Sequence, residues 1–322
     1  MTRFILKRIL QGILTAWVIV TILFIVFRTM PGDPTYFLVD PELPEESREL
    51  VRERLGLNKP LATQYFIYLS GLAKGDLGES LWYSVPVSTI IGEKFFNTLI
   101  LALLAFVLQY SLGIIGGIVW AATRRSRFES VSTIFALGVR SMPQFWLGIV
   151  MVMIFGVALK LFPTSGIRES GYVANTLAEK YLDLDFLHHL ILPVAVLTLS
   201  RIAIPMLLLK DTILELYGED FMDLIKAKGV SRVKELWHAA RNAFIPIVTT
   251  AAISLGTALG GQVMVEVVFS WPGLGREIIA SVSRRDYSMA QSSFLLLSLT
   301  VIGFNLLADI AYRYLDPRIS ET

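Results

Sequence analysis

The chain has 322 residues, of which 54% are hydrophobic and only 17% charged, with a formal net charge of +2 and no cysteine. A mean hydropathy of +0.61 excludes an ordinary soluble domain. The lack of cysteine excludes disulfides, thiolate metal sites and cysteine nucleophiles, and no basic stripe with interleaved aromatics marks a nucleic-acid binder.

A bilayer core takes about 20 apolar residues per helix, and the chain supplies six such runs in order. Residues 9–27 follow Arg3, Lys7 and Arg8 and read as an uncleaved signal anchor, because no small-residue cleavage site follows and the run is long for a signal peptide. Residues 30–96 form a long insert. It opens on the turn cluster Pro31-Gly32-Asp33-Pro34 and closes on Gly75-Asp76-Leu77-Gly78. Between them an amphipathic helix is expected over 45–57, with Leu50, Val51 and Leu55 on one side, and an aromatic-rich helix over 64–72. Residues 98–123 carry no charge. Residues 130–159 and 187–209 span if Arg140 and Arg201 are accepted, and 242–265 and 287–308 complete the set. An even count puts both termini on one side. Segments 1–8, 124–132, 210–243 and 312–322 hold Lys and Arg at about twice the density of the remaining connections, which makes that side cytoplasmic. The expected organisation is 1–30 for the first end and helix, 31–96 for an extracytoplasmic insert, and 97–322 for a core with a cytoplasmic loop at 210–243.

The charged stretch 219–246 stands out between two apolar runs. Phe221, Leu224 and Ile225 fall at helical spacing, and Gly229 stops that helix as a left-handed residue would. Ser231 can cap a second helix whose apolar positions are Val233, Leu236, Trp237, Ala240 and Phe244. Two short helices around Lys228-Gly229 make a dockable knob, against the plainer reading of a solvated connection. At 266–287, Trp271-Pro272-Gly273 and Gly275 force a tight reversal, after which 276–282 can return as a short helix. Arg140 and Arg201 fit either substrate contact or snorkelling to the interface. Gly113, Gly116-Gly117 and Gly260-Gly261 suit close helix packing, Asn305 and Asp309 hydrogen bonds between helices, and Pro143, Pro193 and Pro205 kinks. His188 and His189 are adjacent, so they point apart on a helix and make a poor metal pair, and His238 stands alone.

The knob resembles the coupling element of ATP-binding-cassette importer permeases, in which an E-A-A triplet precedes a glycine and an apolar stretch ends in proline. Here Asp223-Leu224-Ile225 stands for the triplet, keeping only its acidic character, and Ile245-Pro246 closes the motif. Ala227-Lys228-Gly229, the series from His238 to Pro246, Pro31-Gly32-Asp33-Pro34, Gly75-Asp76-Leu77-Gly78-Glu79-Ser80, the E-x-x-F-x-x-P-G-L-G stretch and the ending Leu315-Asp316-Pro317-Arg318 are similar to the first membrane subunit of peptide and nickel importers. The resemblance implies a type I importer permease that transports oligopeptides or dipeptides, with oligosaccharides or nickel chelates as alternatives. It implies a second permease, two cytoplasmic ATPases, an extracytoplasmic solute-binding protein and membrane lipid as partners. It places coupling at Asp223, Ala227, Lys228 and Gly229, and a gate at Trp271, Pro272, Gly273, Leu274 and Gly275. It implies no catalytic residue, no metal and no cofactor in this chain, with ATP and magnesium held by the partner subunits. The sequence carries no G-x-x-x-x-G-K-[ST], H-E-x-x-H or G-x-S-x-G. An ion-driven secondary transporter would show inverted repeats and mid-membrane acids, and a membrane hydrolase a nucleophile beside a base. Neither pattern is evident.

Overall fold

The computed structural model describes residues 2–29, 45–54, 56, 58–169, 171, 176–258 and 262–315; Pro31-Gly32-Asp33-Pro34, Leu55, Gly260-Gly261 and Asp316-Pro317-Arg318 lie outside them. Chain order gives α1 (Thr2–Thr29), α2 (Glu45–Arg54), α3 (Leu61–Ala73), a hairpin of β1 (Glu79–Ser80) and β2 (Val85–Pro86), and α4 (Val87–Ala122). Then come α5 (Arg127–Ser141), α6 (Gln144–Met151) running into a π-helical turn Val152–Ala158, α7 (Leu177–Leu182), α8 (Leu184–Arg201) and α9 (Ala203–Leu216). The chain continues with α10 (Asp220–Ala227), α11 (Arg232–Ala258), α12 (Val263–Val268), α13 (Leu274–Ser283) and α14 (Tyr287–Leu315).

Among the described residues, four helices are long and apolar enough to cross a membrane: Arg3–Thr29, Val87–Ala122, Leu184–Arg201 and Tyr287–Ala311. A fifth crossing arises if Arg127–Ser141 and Gln144–Ala158, bent by 109°, count as one. That count differs from the expected six in specific places. Pro143 does not kink a continuous helix. It forces Met142 out of the helical region (φ −78, ψ 139), and the run 130–159 breaks there. Pro205 has no N–H for the Arg201 carbonyl, so the run 187–209 divides at Ile202 into α8 and α9. The run 242–265 continues α11 only to Ala258, and residues 259–261 lie outside those described.

The chain divides into two compact units, residues 1–98 with 272–302 and residues 99–271 with 303–322. In the first unit, α1 buries Phe24 and Phe27, whose rings meet Tyr65 at 5.2 Å and Phe294 at 6.3 Å. Leu10, Ile13, Leu14 and Trp17 on the same helix are more than half exposed. In water such a stripe would be a liability; in a bilayer it faces its natural solvent. Gly75 and Gly78 take left-handed φ of +77 and +79, and Asp76 Oδ1 accepts the Gly78 N–H at 2.9 Å, so the G-D-L-G cluster is a turn built to start the hairpin.

In the second unit, α8 lies at the centre of an apolar core containing Leu101, Leu147, Phe186, Leu190, Val196, Phe269 and Trp271. A second core joins Leu209, Ile213, Met222, Ala239, Ala240, Ala243 and Ile247. The glycines of α4 serve packing as the sequence suggests. A methyl on Gly117 would lie 2.8 Å from the Met206 carbonyl oxygen, and one on Gly113 or Gly116 would collide with Pro205 or Met206. A methyl on Gly256 would collide with Asn305, which places that polar side chain at a close approach of α11 and α14.

Candidate functional site

The charged loop builds its geometry from the end of α10. Asp220 and Asp223 occupy the first turn and Lys226 the last, the polarity that suits the helix dipole. Gly229 takes φ +67, and its N–H bonds to the Lys226 carbonyl at 2.9 Å, as the C-terminal glycine reading requires. No atom lies within 4 Å of a Cβ added there, so backbone conformation alone holds this position to glycine.

The apolar face of α10 is not the expected one. Met222 is fully buried, with Phe221 and Ile225 packed beside it, while Leu224 is 60% exposed. The following helix also differs. It is no short second helix but the single 27-residue α11. Its buried stripe is Ala239, Ala240, Ala243 and Ile247, against which Leu236 packs, while Val233 (77%) and Trp237 (63%) are exposed. An eight-residue helix with two apolar faces can seat either, and the neighbouring alanines leave room for Met222. The consequence is three large exposed apolar side chains, Leu224, Val233 and Trp237, among the charges of 219–241, with Ile245 exposed beyond them. Asp223 and Lys226 form an exposed ion pair at 2.8 Å, and Lys226 also donates to the Tyr217 carbonyl.

The 266–275 stretch also differs in where its turn is made. Helix α12 ends with the Trp271 N–H on the Glu266 carbonyl (2.8 Å) and the Ser270 N–H on the Val267 carbonyl (3.1 Å), with Ser270 at φ +50. The left-handed residue is therefore Ser270, whereas Gly273 is extended at φ −97, ψ 178, and Gly275 lies inside α13. Trp271 is fully buried in the second unit against Phe186, ring centroids 5.8 Å apart. In the first unit, Asn97 Nδ2 donates to the Pro272 carbonyl at 3.0 Å, and the Leu274 N–H donates to Thr98 Oγ1 at 2.8 Å. Thr98 thereby satisfies one of the orphan amide groups at the start of α13.

Sequence reasoning missed the polar cluster that follows. Glu277 accepts an ion pair from Lys94 at 2.7 Å, and the Tyr83 hydroxyl lies 3.3 Å from each of its oxygens. Ser281 Oγ donates to the same carboxylate. Arg285 is left-handed (φ +55) and closes α13 with the same hydrogen-bond pair seen at Ser270. This delivers Asp286 to the hairpin, where Ser80 Oγ and the Trp82 N–H donate to Oδ2, while Oδ1 accepts the Met289 N–H. The available signal was the spacing of an acid in the first turn of a short helix and another just past its end. His188 and His189 point apart as expected. His188 Nε2 lies 2.8 Å from the Leu161 carbonyl oxygen, and His189 Nδ1 lies 3.1 Å from Asp185 Oδ1. Their partners differ.

Residues 113–321 match the family of binding-protein-dependent transport system inner membrane components, and residues 1–102 match the N-terminal domain of such components. A glutathione transport system permease protein of Escherichia coli O6:H1 is 35% identical over 323 residues, covering 99% of each chain. A di/tripeptide transport system permease protein of Pseudomonas aeruginosa is 36% identical over 336 residues, again covering 99% of each. The solved inward-facing MetNI methionine ABC transporter shares the fold, with a TM-score of 0.54 at 15% identity over 71% of this chain and 97% of that one.

Proposed function

The chain belongs to the family of binding-protein-dependent transport system inner membrane components, and from that premise we infer that it is the membrane-spanning permease of an ATP-binding-cassette importer for short peptides. It is a multi-pass inner-membrane protein. Full-length similarity to permeases for glutathione and for di- and tripeptides is the observation that carries the cargo. Counting the apolar half of α11 together with the four spans and the bent pair, the crossings number six, with both termini and the 210–243 loop cytoplasmic and 31–96 outside. A second permease completes the pore. Two ATPases hold ATP and magnesium, and this chain has no ATP site of its own. A solute-binding protein delivers the cargo.

The exposed Leu224, Val233 and Trp237 support the coupling reading, because an apolar patch ringed by charge is a surface awaiting a partner. Asp223, Ala227, Lys228 and Gly229 set its shape. Nucleotide binding closes the ATPases and moves this surface, which rocks the spans between their two states. The reversal Trp271–Gly275 serves as the gate. Removing the Trp271 side chain takes away a packed aromatic contact of about 3–5 kcal/mol, and Trp271→Ala is expected to raise ATP hydrolysis in the absence of binding protein.

Purification decides the central claim. We expect ATPase subunits to accompany the chain stoichiometrically, and reconstituted vesicles to accumulate peptide only with ATP and binding protein. Uptake that follows an ion gradient, with no ATPase present, would sink the reading. A cysteine at Glu46 should react with an impermeant maleimide in intact cells and one at Ser231 should not, and the reverse pattern would overturn the orientation.

A further inference from the structure

In the second unit, α4 and α8 enclose an open groove of about 420 Å³, within the range of about 300–1,000 Å³ typical of small-ligand pockets. Leu104, Leu108 and Leu112 line one wall, and Ile191, Val194 and Thr198 are on the other. Thr198 is the single polar side chain of the lining, and its hydroxyl is spent on the Ala105 carbonyl at 3.4 Å. The wall on α8 recurs every three or four residues, and the next position on that stripe after Thr198 is Arg201.

Arg201 is half-buried. Among the described residues no carboxylate comes within 4.0 Å of it and it makes no side-chain hydrogen bond. Arg201 closes the span Leu184–Arg201, but the carbonyl of the next residue, Ile202, lies 3.6 Å from where a Cβ on Gly113 would stand, nine residues before α4 ends at Ala122, so it is about 14 Å from that end at 1.5 Å per residue. A lipid phosphate sits at the headgroup level, which makes it a poor partner at that depth. Charged side chains in spans face bundle interiors or water-filled cavities and take partners there.

Resting on the peptide reading above, we propose that Arg201 binds the carboxylate of the cargo on its path through the membrane, while the α4–α8 groove takes the cargo's apolar side chain. A guanidinium offers a carboxylate two parallel charge-assisted hydrogen bonds, and the lining has nothing polar to compete for them. The pairing favours peptides with a free C-terminal carboxylate and an apolar residue beside it.

The assembled complex in proteoliposomes, with Ala195→Cys as its single cysteine, tests this in two arms. In the first, the sulfonatoethyl (anionic) and trimethylammonioethyl (cationic) methanethiosulfonates label Ala195→Cys at measured rates. Adding Arg201→Gln is expected to lower the anionic-to-cationic rate ratio about fivefold, because a positive charge has been removed from a shared aqueous cleft. No labelling in any nucleotide state, or an unchanged ratio, would overturn the proposal and mean that lipid or another chain fills the groove. In the second arm, Arg201→Gln is expected to cut uptake of Leu-Leu by about tenfold or more, with Arg201→Lys recovering most of it. Unchanged Leu-Leu uptake overturns the carboxylate role. If the unsubstituted complex carries no peptide at all while the ratio still falls, the peptide reading is what fails, and with it the cargo named here.

Discussion

Glu277 and Asp286 lie in and just past a ten-residue helix, and Asp223 and Lys226 in one of eight residues, yet the two segments use charge in opposite ways. At α13 the acids are buried, 5% and 1% exposed, and apart from the Ser281 hydroxyl on the same helix their side-chain partners belong to other pieces of the first unit: Lys94, Tyr83, the hairpin and the start of α14. At α10 the charged side chains are 73% and 41% exposed and bond only to each other and to a nearby backbone carbonyl, while apolar side chains lie uncovered beside them. The burial of an ion pair makes the first segment rigid, because leaving either partner alone in a low-dielectric site is costly. Exposure makes the second cheap to alter and free to meet another protein.

Between these two segments the largest stability effect is therefore expected at Lys94→Met. It strands the Glu277 carboxylate at a cost of about 3–5 kcal/mol, visible as a large fall in the apparent melting temperature of the purified complex. A melting temperature within error of the parent would show that the α13 cluster is not the tie described. Gly229→Val should cost about 1–2 kcal/mol of local backbone strain and abolish coupled uptake while the protein still inserts; normal substrate-stimulated ATP hydrolysis in this variant would break the comparison from the other side. The smallest stability effect is expected at Leu224→Ser with Val233→Ser, within about 0.5 kcal/mol as for surface sites generally. Their signature is weaker co-purification of the ATPases. Retention of ATPase at parental levels would assign the exposed patch to something else.

Several features of this architecture were legible because single residue types announce them. Gly229 could be read because glycine is the residue that takes a left-handed end without strain, and the α4 glycines because small residues let helices meet. Ser270 and Arg285 perform the same turn without that signature, so residue type points to Gly273 and Gly275 for a reversal that Ser270 makes. The choice of Met222 over Leu224 was not readable, since the period of an eight-residue helix leaves its phase open when both faces are apolar. Nor could Glu277 and Lys94 be paired, because their contact joins positions far apart in the chain and depends on α13 docking beside α4. The break at Pro143 was visible as a proline but not as a 109° turn, which depends on Met142 leaving the helical region.

One consequence concerns mechanical stiffness. Because α11 runs unbroken from the exposed Val233 and Trp237 to Ala258, about 40 Å at 1.5 Å per residue, it acts as a lever rather than a hinged pair of rods. A displacement applied at its charged end has no loop in which to dissipate. Pro246 leaves the Asn242 carbonyl without its usual amide donor, so any bend along this lever is expected to fall there.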